Sequence, residues 1–183
     1  MMPGPVACAS PKRSALISPG GKYCYHLHRE LPGGGRRVAT FIMLNPSTAD
    51  HLVDDPTIRK CIGFCQRWGC GELNVVNLFA VRATDPADMR KASDPVGDHN
   101  HEWVRRAVDT TRDFHEPQDA GLVVCSWGTH GSYMDRDLTV LGWIEGLCKP
   151  MALGLTRDGH PRHPLYVPYS AELVPFAGRR LTE

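Results

Sequence analysis

Apolar positions along the chain gather into four short, nearly continuous runs separated by stretches of helical period and by polar turns. Residues 38–44 (VATFIML), 73–79 (LNVVNLF), 122–126 (LVVCS) and 151–155 (MALGL) read as strands buried on both faces. Between the first two, Ile58, Cys61, Ile62 and Cys65 recur at i, i+3, i+4 and i+7, the apolar stripe of a helix. Asp54-Asp55-Pro56-Thr57 supplies its start, a carboxylate cap followed by proline in the first turn, and Gly69-Cys70-Gly71 its stop. A weakly helical stretch follows over residues 87–92. Another helix begins at Glu102, with Val104, Ala107 and Val108 on one side, and a further one is expected from the turn at residues 127–131 to about Cys148. Strands alternating with helices predict an α/β fold of three layers, α/β/α, around a central, mainly parallel four-stranded sheet.

The amino-terminal part follows a different pattern. Residues 22–29 (KYCYHLHR) alternate as a half-buried strand does, and Leu31-Pro32-Gly33-Gly34-Gly35 reads as a turn into residues 37–44, so an N-terminal antiparallel hairpin is expected. His26 and His28 share one face at i, i+2; with no acidic or cysteine partner in view, a solvated face is the simpler reading than a metal site. Residues 1–17 lack periodicity and are expected to form a flexible arm, residues 18–183 a single domain.

Composition narrows the function classes. With 183 residues the chain can bury a core without disulfides or metal, and a net charge of +1 excludes a strong overall pull on nucleic acid, so such binding would need a local basic cluster. No apolar segment reaches the roughly 18–20 residues of a membrane span, and residues 1–10 lack the features of a signal peptide, so a cytoplasmic location without membrane contact is expected. The seven cysteines form no C-x-x-C pair, which favours reduced thiols. Cys61 and Cys65, with Cys70 and an N-terminal cysteine, could in principle ligate an iron–sulfur cluster, but the stripe predicts core packing instead; no metal or cofactor is expected.

The polar residues that end the runs are the candidates for chemistry. Asn45-Pro46-Ser47 closes the first, Asn77 sits within the second, Trp127-Gly128-Thr129-His130 follows the third, and His163-Pro164-Leu165 lies beyond the fourth. Each has an ordinary reading: Asn45 and His163 as turn residues, and Asn77 as an amide tied to backbone, because an unpartnered buried amide costs roughly 1–3 kcal/mol. Neither a phosphate-binding glycine loop, a dinucleotide fingerprint nor a hydrolase G-x-S-x-G is present.

In order and context the set resembles the uracil-DNA glycosylase superfamily, and in detail its mismatch-specific uracil/thymine branch, whose first motif reads G-I-N-P-G. Leu44-Asn45-Pro46-Ser47 stands at that place, Val76-Asn77-Leu78 at the place of a base-reading asparagine, residues 124–130 (VCSWGTH) resemble the L-L-W-G-x-x-A strand and turn, and Arg162-His163-Pro164-Leu165-Tyr166 resembles the late H-P-S loop. The pattern is also similar to a family of small bacterial and phage proteins sharing N-P-S-T-A-D, D-D-P-T and N-L-F-x-x-R-A-T-D-P. Met43, Ser47 and Leu165 depart from the motif residues, which implies an altered pocket and hence an altered base.

What the resemblance implies is a metal-independent, monofunctional DNA base glycosylase acting on a base flipped from a duplex or taken from a single strand. Asn45 would hold the attacking water, with Asp50 as a second candidate to activate it. His163 would donate to the departing base, and Asn77 would read its edge beside Pro46, Ser47 and Phe79. Gly128, Thr129, His130, Arg157, Arg162, Pro164 and Leu165 would contact DNA, Leu165 as an apolar wedge and the backbone N–H groups of the 128–131 turn as phosphate ligands. Arg82 would add to this basic cluster. A monomer is expected. A non-catalytic nucleic-acid-binding protein of the same fold and a nucleoside or nucleotide hydrolase are the alternatives, and uracil, mispaired thymine and modified pyrimidines all remain open as targets.

Overall fold

A computed structural model describes residues 6–10, 12–112 and 120–179. The chain begins with strands β1 (Val6–Ser10), β2 (Arg13–Ile17) and β3 (Cys24–Glu30) and crosses to β4 (Val38–Met43). It then alternates helix and strand through α1 (Pro56–Arg67), β5 (Glu72–Asn77), α2 (Pro86–Lys91), α3 (Asn100–Arg112), β6 (Leu122–Cys125), α4 (Arg136–Ile144), β7 (Met151–Ala152) and a short β8 (Val174–Pro175). One mixed sheet joins them in the order β1-β2-β3-β5-β4-β6-β7-β8. β4 pairs in parallel with β5 and β6, and β6 with β7, whereas β1 to β3 and β8 extend the two edges antiparallel. The protein is therefore α/β, with one eight-stranded sheet where a central four-stranded sheet and an N-terminal hairpin were expected. Strands β1, β2 and β8 escape detection because they are short or carry few apolar residues. No helix among the described residues is long and apolar enough to cross a membrane.

Two expectations for the amino-terminal region are corrected. Residues 6–10 and 13–17 are not an arm: they pair with each other, and β2 pairs with β3, burying Ala15 and Leu16. Residues 1–5 and 11 lie outside the described residues. Nor do β3 and β4 form a hairpin, because β5 lies between them. Residues 31–37 instead carry the chain across the start of β5, with Leu31 N–H donating to Gly71 O at 2.7 Å, Gly35 N–H to Gly69 O and Gly71 N–H to Arg37 O, both at 2.9 Å. The glycines serve this backbone-on-backbone crossing: a Cβ on Gly34 would lie 2.1 Å from Cys70 O, and one on Gly71 would lie 2.0 Å from Gly35 O.

All six residues of β4 are buried, as a strand covered on both faces requires. Phe41 and Met43, with Leu73 and Val75, face Ile58, Cys61, Phe64 and Cys65 of α1. Ile42 and Val76, with Val123 and Cys125, face Val104, Ala107, Val108, Val140 and Ile144 of α3 and α4. Each Val, Leu, Ile, Phe or Met among them contributes about 1.5–3 kcal/mol of burial. The α1 stripe read from the sequence is this contact, and its thiols are core residues. Asp55 caps α1 by accepting from Ile58 N–H at 2.9 Å, and Gly69 ends it with φ +69°.

The α3 face also covers β3. His26 does not stand on a freely solvated face: it is half-buried, its Nε2 lies 2.9 Å from Asn74 Oδ1, and its ring stacks on Trp103 at 5.7 Å. Burial lowers its pKa from 6.5 to about 4, against the opposing effect of the Asn74 hydrogen bond.

The crossing predicts that Gly71→Ala destabilises the fold by about 1–3 kcal/mol through overpacking. Gly142→Ala, on α4 with open space around the new Cβ, should stabilise it by about 0.5–1 kcal/mol. Urea denaturation reads both, and equal shifts would refute the close-approach argument. His26 makes a second prediction. Its folded pKa lies below its unfolded one, so the unfolded chain binds the extra proton, and stability is complete above about pH 6.5 and falls as pH drops toward 4, by up to about 3 kcal/mol. His26→Gln should flatten that part of the stability–pH curve; an unchanged slope would place the effect elsewhere.

Candidate functional site

The site follows from strand register. β4 and β5 run in parallel with Met43 opposite Asn77, so the residues that follow leave the sheet at one level. Hydrogen bonds continue past the strand ends, from Leu78 N–H to Met43 O at 2.8 Å, from Phe79 N–H to Leu44 O at 2.9 Å and from Ser126 N–H to Ile42 O at 2.8 Å. Above these carboxyl ends opens a cavity of about 930 Å³. Asn45, Asn77 and His163 all line it, together with Pro46, Ser47, Gly128, Thr129, His130, Arg157, Arg162 and Leu165. Crevices at such strand ends are where open α/β sheets bind ligands, and the volume suits an organic ligand of moderate size.

Asn45 is oriented by its surroundings. Its Nδ2 donates to Ala83 O at 2.7 Å and to Pro46 O at 3.1 Å, and since both partners are carbonyls, that atom must be the amide nitrogen. The carbonyl oxygen Oδ1 is left as an acceptor at the cavity. The 82–84 segment completes the brace: Ala83 N–H donates to Pro46 O at 2.9 Å, and Arg82 Nε donates to Ser47 O at 3.3 Å. Arg82 thus holds the loop by its carbonyls and does not line the cavity.

Asn77 is 5 % exposed, and its carboxamide makes no hydrogen bond to any described residue although it lines the cavity. Its backbone is held instead. Asn77 O accepts from Asn100 Nδ2 at 2.9 Å, Asn100 Oδ1 accepts from Arg136 Nη2 at 2.8 Å, and Arg136 also donates to Leu78 O at 3.0 and 3.2 Å. Arg136 is buried with Trp143 and Phe79 against its guanidinium. The clamp fixes the end of β5 from below and leaves the amide above it unspent.

His163 precedes a 3-10 turn at Pro164–Tyr166, and its Nδ1 accepts a long hydrogen bond, 3.4 Å, from Leu165 N–H. That assigns the remaining proton to Nε2. Burial lowers the pKa below the usual histidine value, only partly offset by Asp55, so the ring is neutral at pH 7 and presents a donor.

Several expected site residues belong elsewhere. Asp50 does not line the cavity; its Oδ1 accepts from Leu52 N–H at 2.7 Å and Val53 N–H at 2.9 Å, which lowers its pKa and makes it a turn-holding carboxylate rather than a base. Phe79 is fully buried in the core against Tyr133, and Pro164 is buried under its turn. The turn at residues 128–131 has two of its four backbone N–H groups already committed. Gly128 N–H is taken by Pro161 O and Gly131 N–H by Gly128 O, and residues 129–135 form irregular 3-10 turns before α4. The sequence reading missed Ala83, Thr84, Thr156 and Tyr166, all of which line the cavity. The conspicuous Arg82-Ala83-Thr84-Asp85-Pro86 loop was the available signal for the first two.

An amide kept for a ligand should be dispensable to the fold. Asn77→Leu is expected to leave the thermal midpoint unchanged or raised, because the amide opens on the cavity and spends no hydrogen bond on the fold. Asn100→Ala, which leaves Asn77 O without its donor and takes one acceptor from the buried Arg136, should destabilise by about 1–3 kcal/mol. A large loss of stability in Asn77→Leu would mark that amide as structural.

No curated protein and no solved structure matches the chain. Residues 24–165, most of the chain and nearly all of the site, match the family model described as Protein of unknown function (DUF1643), and the chain belongs to that family.

Proposed function

We propose that the protein is a DNA base glycosylase that hydrolyses the N-glycosidic bond of a flipped, altered or modified pyrimidine. The observation that carries this reading is the convergence, in one cavity, of an oriented amide oxygen (Asn45), an uncommitted buried amide (Asn77) and a neutral imidazole N–H (His163). The arrangement of parallel β5, β4, β6 and β7 between α1 on one face and α3 and α4 on the other fits a uracil-DNA glycosylase-like architecture, with the first motif at the end of β4. Buried thiols fit a protein of the cytoplasm.

Breaking the bond between C1′ and the base nitrogen places positive charge on the sugar and negative charge on the base. Asn45 Oδ1 accepts a hydrogen bond from the water whose oxygen bonds to C1′; the bonding pair leaves with the base, and the proton of the water is lost to solvent. An amide is a weak base, but an oxocarbenium-like sugar needs only an aligned water. His163 Nε2–H donates to a base carbonyl oxygen as its charge grows, a preorganised contact typically worth about 2.7–4 kcal/mol. Asn77 can both donate and accept, which matches the alternating edge of a pyrimidine. Arg157 and Arg162 at the rim are exposed and suit the phosphates on either side.

A panel of single-lesion oligonucleotides, followed by alkali cleavage at abasic sites, tests the reading. One or more should be cut after incubation with the wild type, and Asn45→Ala and His163→Ala should each reduce the rate about 10²–10³-fold. Identical behaviour of wild type and variants on every oligonucleotide would end the glycosylase reading, and release of base from free nucleosides alone would transfer it to a nucleoside hydrolase.

A further inference from the structure

The cavity does not stand alone on its face of the molecule. Tyr166 lines its mouth, is 81 % exposed and lies with its ring 5.7 Å from that of His163. Three residues on, Tyr169 packs against Gly63 and edge-on against Phe64, so the chain from the mouth lies along α1. Three bonded residues span at most about 11 Å. Lys60 Nζ sits 3.9 Å from the centre of the Tyr169 ring, and the Arg67 guanidinium sits 5.0 Å from it. Cation–π contact holds these two charges in place without neutralising them, and neither makes an ion pair with a described residue. α1 itself carries Arg59, Lys60 and Arg67 and no acidic residue.

An exposed aromatic ring followed by fixed, unneutralised cations is the chemistry that single-stranded nucleic acid recognises, with bases stacked on rings and phosphates against positive charge. Resting on the glycosylase reading, we infer that Tyr166 and the Lys60–Tyr169–Arg67 ridge form a track for the unpaired strand flanking the target nucleotide. Tyr166 stacks on the base beside the extruded one, filling the place that the bare Leu165 wedge would otherwise hold. Lys60 and Arg67 take phosphates farther along the same strand. The track lies on the α1 side of the sheet, and Arg105, an exposed cation of α3, lies on the opposite side and takes no part.

Fluorescence anisotropy with a labelled single-stranded oligonucleotide of unmodified bases reads this directly and without turnover. The Lys60→Ala, Arg67→Ala double variant should weaken binding at least tenfold at low salt and reduce the slope of log K against log salt by about 1.4, from two lost phosphate contacts. Tyr166→Ala should weaken it about five- to a hundredfold with the slope unchanged, the signature of lost stacking. Arg105→Ala should stay within twofold. Binding that survives the double variant, or that falls equally with Arg105→Ala, overturns the track. The two readings separate: loss of binding in the ridge variants with no base released from any oligonucleotide keeps the track and removes the glycosylase. Base release by the double variant with unchanged KM keeps the glycosylase and removes the track.

Discussion

The parallel pairing of β4 with β5 is the constraint on which the rest depends. Because Met43 stands opposite Asn77, both strands stop at the same height, and Asn45 and Asn77 emerge side by side although separated by a helix and a turn in the chain. Slipping the pairing by one residue would reverse every side chain of one strand between the α1 face and the α3 face. Phe41 and Met43 would then exchange places with Ile42, and the two cores would be lost together with the site. The apolar burial that folds the sheet is thus also what brings the amides to one cavity.

Height alone does not orient a side chain, and two polar clamps complete the work. One is Arg136 with Asn100, beneath the end of β5. The other is Arg29, 1 % exposed, which bonds Asp54 at 2.8 Å, the carbonyls of Ser14 and His28, and the carbonyl of Asp50. Arg13 joins the same carboxylate at 2.8 Å. Strands β2 and β3 therefore act on the site from a distance by holding the segment that runs from the Asn45 loop into α1. Breaking a buried pair of this kind removes about 3–5 kcal/mol, which makes these antiparallel strands part of the scaffold rather than an appendage.

What could be read from the chain was whatever a continuous apolar run or a capping pattern announces. β4, β5, α1 with its Asp55 cap, and the polar residues at the strand ends were legible for that reason, and Asn45, Asn77 and His163 do share one cavity. The pairing of β3 with β5 was not legible, because Gly33-Gly34-Gly35 has the composition of a turn and only the close approach of Gly71 reveals it as a crossing. β2 was hidden by its small and polar residues. Asp50 looked like a base because a carboxylate beside a motif carries no mark of the two N–H groups it will accept from. Phe79 was misplaced because the backbone beyond Asn77 abandons the alternation of a strand, turning the ring into the core. Tyr166 was passed over since exposure cannot be read from an isolated aromatic residue.

The double donation by Asn45 Nδ2 has an evolutionary corollary. A carboxylate at this position, though nearly the same shape and a stronger base, would aim an oxygen at the carbonyls of Pro46 and Ala83 and repel both. The ordinarily mild exchange of asparagine for aspartate is therefore blocked here unless the 82–84 segment is rebuilt at the same time. The chain is committed to an amide at this spot by its own backbone, whatever reaction is selected in the cavity above it.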